Sequence, residues 1–169
     1  MRKAEDSWSG MRKYLEKEML AEDLKGRVRY NCSTAAGMDG CRFFEIYVDN
    51  KCFKRFSLET VNSYFIESGI IEKKQRLNTA EYWDGFWDTL GEHPLSTRTE
   101  YTDGEFCDAL EKYRNSDIKD SVNSENPIIV MFAILDRRTG KRTLQKFKES
   151  IEKYPEWINQ LFDLRIKNS

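Results

Sequence analysis

The chain has 169 residues, with 28 Lys and Arg against 29 Asp and Glu, a formal net charge of -1. That length fits one domain, residues 1–169, and a composition 39% hydrophobic and 13% aromatic is enough to bury a core. The even charge balance excludes a global electrostatic pull toward nucleic acid or an anionic membrane, and no apolar run is long enough to cross a bilayer.

The first ten residues are polar and lack the apolar stretch of an export signal. We therefore expect a cytoplasmic protein that does not engage a membrane. Four cysteines, Cys32, Cys41, Cys52 and Cys107, are read as reduced, mostly buried thiols. Their spacing contains no short paired-cysteine knuckle of the kind that opens a structural zinc site, so no metal or other cofactor is expected.

Residues 7–25 carry Met11, Tyr14, Leu15 and Met19 at helical spacing, with Ser9 as a candidate cap and Gly26 at the end. Residues 27–56 then change period. Val28, Tyr30 and Cys32 alternate with Arg27, Arg29 and Asn31. Phe44, Ile46 and Val48 alternate with Phe43, Glu45 and Tyr47. Residues 37–40, Gly-Met-Asp-Gly, and the pair Asp49 and Asn50 supply turn chemistry, so the stretch reads as a three-stranded antiparallel meander. A second helix follows over residues 57–68, capped by Ser57 and ended by Gly69, with Leu58, Val61, Tyr64 and Phe65 on one side.

The resulting order, α-β-β-β-α, is that of a double-stranded-RNA-binding domain. Such domains place lysines at the start of the second helix, and here that position reads Ser-Leu-Glu-Thr, with no base.

Residues 72–76 form a charged connector. Asn78 or Thr79 caps a third helix over residues 80–90. Tyr82, Phe86 and Leu90 recur at i, i+4 and i+8, with Trp83 and Trp87 beside them. These aromatics are either a core anchor or a binding surface built from Tyr82, Trp83, Phe86 and Trp87. Glu81, Asp84 and Asp88 share the other face, where carboxylates are ordinarily just solvated. His93 is the only histidine and has no nucleophile motif around it.

Residues 95–101 read as extended or loop. Thr102 and Glu105 form a capping box before the stripe Phe106, Ala109, Leu110 and Tyr113. Residues 115–126 are polar and read as a mobile surface loop. Residues 128–135, IIVMFAIL, are apolar throughout and read as a fourth, central strand. Beyond them, residues 141–147 fit either a helix opened by Thr143 or a fifth strand. Pro155 opens a last helix bearing Trp157, Ile158, Leu161, Phe162 and Ile166. The fold class is thus α+β: the meander extended by the strand at 128–135, with four to six helices packed on it.

One local charge feature stands out. Arg137, Arg138, Lys141, Arg142, Lys146 and Lys148 follow one another with no acid between Asp136 and Glu149. If a helix starts there, its free N–H groups add to the attraction for an anion. Arg137, Arg138, Lys141, Arg142 and Thr143 are therefore the candidate anion- or partner-binding residues. It is not a P-loop, because Arg142 stands where Ser or Thr is needed and the earlier glycine is absent.

Four segments together, WSGMRKYLEKEMLAEDLKGRVRY at residues 8–30, FEIYVDNK at 44–51, TVNSYF at 60–65 and MFAILDRRTGKRTL at 131–144, resemble a family of small uncharacterised bacterial proteins. The resemblance spans nearly the whole chain. It implies a bacterial, cytoplasmic protein and carries no activity, cofactor or site. With no catalytic constellation in view, the expectation is a non-enzymatic binding or interaction protein, an immunity-type or regulatory partner. Two alternatives stand beside it: association with nucleic acid or phosphate through residues 137–148, and an enzyme drawing on Glu81, Asp84, Asp88, His93 or Cys41.

Overall fold

A computed structural model describes residues 7–34, 42–72 and 79–167. The expected first turn of the meander, Cys41, the cap candidate Asn78 and most of the connector lie outside the described residues. The class is α+β, as the patterns require. Strands β1 (Val28–Thr34), β2 (Arg42–Val48) and β3 (Lys51–Phe56) form one antiparallel sheet in the order β1-β2-β3. Asp49 and Asn50 make the β2–β3 turn at φ 49° and 65°, the left-handed pair that a two-residue hairpin needs. A bulge lies close to this turn: between Ile46 and Tyr47 the register of β2 against β3 shifts.

The alternation divides the sheet as expected. Val28, Tyr30, Phe44, Ile46 and Phe56 are buried against the helices. Lys54 is buried on the same side. Its ammonium lies 3.0 Å from Glu100 and 5.2 Å from the ring centre of Trp157. On the opposite face Glu45, though buried, accepts hydrogen bonds from Arg55 (Nη2, 3.0 Å), Asn31 (Nδ2, 3.3 Å), the Tyr47 hydroxyl (3.3 Å) and the Cys52 thiol (3.3 Å). Burial raises the carboxyl's pKa, but the hydrogen bonds from Arg55, Cys52 and Asn31 outweigh it and hold the group below its ordinary value. At the open edge of the sheet the Tyr30 N–H donates to Glu16 at 2.8 Å, which removes one free donor from the edge strand.

The first helical stretch is not one helix. Helix α1 (Trp8–Lys13), capped by Ser7 rather than Ser9, widens into a π-helical stretch (Tyr14–Met19). Leu20 and Ala21 then run extended and pair with the chain leaving residue 135. Ala21 N–H donates to the Leu135 carbonyl at 2.9 Å, and Arg137 N–H to the Met19 carbonyl at 2.8 Å. A short 3-10 turn (Glu22–Leu24) leads into β1.

Helices α2 (Leu58–Glu67), α3 (Ala80–Glu92) and α4 (Asp103–Arg114) start at Ser57, Thr79 and Thr102, each of which accepts an N-terminal N–H as the sequence predicts. The capping box of Thr102 and Glu105 is closed in both directions. The polar stretch after α4 contains a further short helix, α5 (Ile118–Val122), which corrects its reading as a loop. Val122 is buried in the main core and Ile118 packs against it, two apolar anchors hidden in a Ser/Asn/Asp-rich segment.

The main correction concerns residues 128–135. They are not a fourth strand but helix α6 (Pro127–Leu135), and every one of its residues is buried. Pro127 sits at the first helical position, where a missing N–H costs nothing. The Asn126 side chain caps the helix by accepting the Ile128 N–H at 3.0 Å. A segment covered on all sides shows neither period 2 nor period 3.6, so its apolar run cannot reveal which it is. Phe132 lies at the centre of the core, with ring centres at 5.1 Å from Tyr113, 5.6 Å from Phe106 and 6.1 Å from Tyr30.

Helices α7 (Lys141–Lys148) and α8 (Glu156–Lys167) complete the main cluster; α8 starts one residue after Pro155. The open question over residues 141–147 resolves as helix. A second, smaller apolar cluster joins α2 to α3 through Val61, Phe65 and Phe86. No helix among the described residues is long and apolar enough to cross a membrane.

Two tests follow. Phe132→Ala removes the ring that ties α4, α6 and β1 together and should cost about 3–5 kcal/mol in urea unfolding; a loss under about 1 kcal/mol would mean that α6 is not packed in the centre. Because the Glu45 carboxyl titrates below its usual 4.5 when folded, its contribution is present above that pH and lost as the pH falls. Glu45→Gln should therefore lower stability at neutral pH and flatten the acid limb of the stability curve below about pH 5, measured by thermal melts across pH.

Candidate partner-binding surface

The basic segment begins in a turn that is itself part of the core. Asp136 is almost fully buried, and its carboxylate accepts the Tyr113 hydroxyl, the Arg138 backbone N–H at 2.7 Å and the Arg138 guanidinium at 2.7 Å (Nη2). The side chain thus closes an Asx-type turn over its own backbone. Thr139 is buried as well: its hydroxyl donates to the Ala133 carbonyl at 2.6 Å, and its carbonyl accepts from Arg165 of α8 at 3.1 Å. Burial pushes the Tyr113 hydroxyl up, and the neighbouring Asp136 charge pushes it further. The carboxylate likewise holds Arg138 more firmly protonated than usual, through the hydrogen bond first and its charge second. Arg138 is thereby spent on the fold.

Helix α7 starts at once, with Gly140 in the N-cap position and no side-chain cap. Thr143, expected to open the helix, is its third residue and is half-buried. Leu144 and Phe147 turn inward, where Phe147 meets Phe162 and Tyr154 with ring centres at 5.5 and 5.2 Å. Everything that α7 presents to solvent is basic or amide: Lys141, Arg142, Gln145, Lys146 and Lys148. Among the described residues none of its four bases, nor Arg137 before it, forms an ion pair. Lys141 and Arg142 also face the positive end of their own helix, which costs roughly 0.3–1 kcal/mol each. An anion placed there relieves both terms.

Beside these bases runs a groove of about 230 Å³ between α7 and α8, lined by Lys141, Leu144, Gln145, Lys148, Phe162 and Ile166. Ile166 is 36% exposed, one of the few large apolar side chains left at the surface. Sequence reasoning placed Arg137, Arg138, Lys141, Arg142 and Thr143 together but missed the apolar floor. The signal for it was the amphipathicity of residues 141–151 taken together with the stripe of the last helix.

The aromatic candidates separate. Tyr82 and Phe86 are interior, Tyr82 donating to the Asn62 side chain and Phe86 filling the α2–α3 cluster. Trp83 is half-buried against the same cluster, and Trp87 stands 50% exposed. Glu81, Asp84 and Asp88 all point to solvent, and no group among the described residues has the arrangement to hold a metal ion. His93 shares a hydrogen bond with the Thr89 carbonyl at 2.8 Å and packs against Phe65, with no nucleophile beside it.

A further groove, of about 440 Å³, was not anticipated. It lies between α1, the sheet and α4, and includes Trp8, Met11, Cys32, Arg42 and Cys107. Cys52 and Cys107 are exposed and Cys32 is half-buried, so the described thiols are less buried than expected. Burial pushes the Cys32 and Cys107 thiols up despite the pull of Arg42, the opposite of what an activated nucleophile needs.

The model of the SF0329 protein family matches residues 7–166. The chain belongs to the SF0329 protein family. This is an uncharacterised family, in line with the resemblance read from the four segments. Comparison with curated proteins and with solved structures gave no match.

Arg137 and Arg138, adjacent in the sequence, should respond differently. Arg138→Ala leaves Asp136 short of its cation; since the arginine is 44% exposed, water softens the loss, to about 1–3 kcal/mol in urea unfolding. Arg137→Ala should stay within about 0.5 kcal/mol of the parent. Equal effects at the two positions would contradict the division of labour described above.

Proposed function

We propose that this family member is a non-enzymatic binding protein of the bacterial cytoplasm, a regulatory or immunity-type partner, which receives an acidic amphipathic segment of another protein on α7. The observation that carries the reading is the pairing of unpaired bases with an apolar groove. Lys141 and Lys148 flank Leu144, Phe162 and Ile166. An acidic helix with a few large apolar side chains satisfies both parts of that surface at once, in the helix-in-groove manner. Nucleic acid would satisfy only the charge. The rings nearest the bases, Phe147 and Phe162, are 4% and 2% exposed, so neither stands free to stack on a base. The raised thiols of Cys32 and Cys107 lend an enzymatic reading no support.

The test is fluorescence anisotropy with a labelled acidic amphipathic peptide, set against mixed-sequence RNA and DNA of similar charge. Lys141→Glu with Lys148→Glu should weaken peptide binding about tenfold or more, and Ile166→Ser should weaken it as well. Tight, salt-sensitive binding of nucleic acid that ignores Ile166→Ser would move the reading to the nucleic-acid alternative. Binding of neither ligand would remove it.

A further inference from the structure

The description of that occupant fits a segment of the chain itself. Helix α3 is the chemical complement of α7. Over Ala80–Glu92 it carries Glu81, Asp84, Asp88 and Glu92 and no base; over Lys141–Lys148, α7 carries Lys141, Arg142, Lys146 and Lys148 and no acid. At 3.6 residues per turn, the four acids of α3 fall within a stripe about 80° wide. All four are exposed, and Trp87, 50% exposed, stands at the border of the stripe. The inner side of the helix is already used, since Tyr82 and Phe86 are buried.

The spacings agree as well as the signs. Lys141 and Lys148, the two bases on the groove, are seven residues apart, and so are Glu81 and Asp88. On either helix that separation is about 10.5 Å. With the two helices antiparallel, Glu81 meets Lys148 and Asp88 meets Lys141. Trp87, next to Asp88, then faces the floor of Leu144, Phe162 and Ile166. The same alignment brings Asp88, near the negative end of α3, to Lys141 at the positive end of α7, and sets Glu92 one turn further on, level with Arg137. Each helix has the wrong sign of charge at that end: α3 has no base in its last turn and α7 no acid in its first. Docking end against end offsets both. No α3 residue lines the groove within one chain, so an α3 that filled it would come from another copy.

We propose that α3 of one copy docks antiparallel into the α7–α8 groove of a second copy. A two-fold axis repeats the contact, α3 of each copy in the groove of the other, and closes the assembly as a dimer. The inference rests on the reading that the groove takes an acidic amphipathic helix, and it gives that surface a regulation: an external partner must displace α3.

Sedimentation equilibrium against protein concentration tests it. At low salt the parent protein should show a monomer–dimer equilibrium, and at about 1 M salt, where the screening length is about 3 Å, it should shift to monomer. Trp87→Ala should weaken the dimer about tenfold or more. Glu81→Lys with Asp88→Lys, and separately Lys141→Glu with Lys148→Glu, should each be monomeric. An equimolar mixture of the two variants should dimerise again, because both contacts are then between opposite charges. All four positions are exposed, so unchanged circular dichroism is expected. A parent protein that stays monomeric at every concentration, or a mixture that fails to recover the dimer, would overturn the proposal. If the parent is monomeric yet binds the acidic peptide through Lys141 and Lys148, self-association falls and the groove reading stands. If it does neither, both fall.

Discussion

A carboxylate nearly cut off from water has to be satisfied from every side, and Asp136 places that demand on several parts of the chain at once. Its partners come from α4, through Tyr113, and from the turn that follows α6, through the N–H and guanidinium of Arg138. The backbone around it pairs with Met19 and Ala21 on one side, and Arg165 of α8 holds the carbonyl of Thr139 on the other. Removing one partner of such a group leaves the buried carboxylate short of a hydrogen bond, a loss of about 1–3 kcal/mol. The exit of the chain from α6, the end of the first helical stretch and the start of α7 are therefore set by one side chain.

That constraint decides which bases are left at the surface without an ion pair among the described residues. Six bases follow one another in sequence, and by composition they are equivalent. The turn withdraws Arg138 into the fold and leaves Arg137 outside. It also starts α7 at Lys141, which puts Lys141 in the first turn and, with Gln145 and Lys148, on the rim of the groove, while Leu144 and Phe147 set the buried side. Had the helix begun at Thr143, the phase set by Leu144 and Phe147 would be unchanged, but Lys141 and Arg142 would lie outside the first turn. The surface is thus a consequence of the buried network and not an independent feature laid on top of it.

Much of this architecture was legible in the residues. The two period-2 runs give β1 and β2, Asp49 and Asn50 give the turn that leads from β2 to β3, and Ser57, Thr79 and Thr102 mark three helix starts, because each of these signals is local. What could not be read depends on partners distant in sequence. The run IIVMFAIL lacks any period because α4, α5, α8 and the sheet cover it on all sides; only Pro127, preceded by Asn126, spoke for a helix start. Leu20 and Ala21 leave the helical path to pair with residues 135–137, more than a hundred positions away. The bases of 137–148 were visible as charges. Their division into structural and free was not, because it turns on the burial of Asp136, and the groove they flank needs Phe162 and Ile166 from another helix.

The overall charge of the chain conceals how that charge is arranged. With 28 bases against 29 acids, a mean-field argument expects no electrostatic preference for any partner. Yet α3 carries acids without a base and α7 bases without an acid, each next to an exposed apolar side chain, Trp87 in one case and Ile166 in the other. Segregation of this kind leaves long-range attraction weak and makes short-range attraction dependent on orientation, since outside a Debye length of about 8 Å the two patches cancel. Selectivity then comes from register and not from charge in bulk. A uniformly anionic polymer gains nothing from the apolar floor and is repelled by α3, whereas an amphipathic acidic helix gains from both halves of the groove. The near-neutral composition, which at first excludes strong binding, is for that reason compatible with a narrow choice of partner.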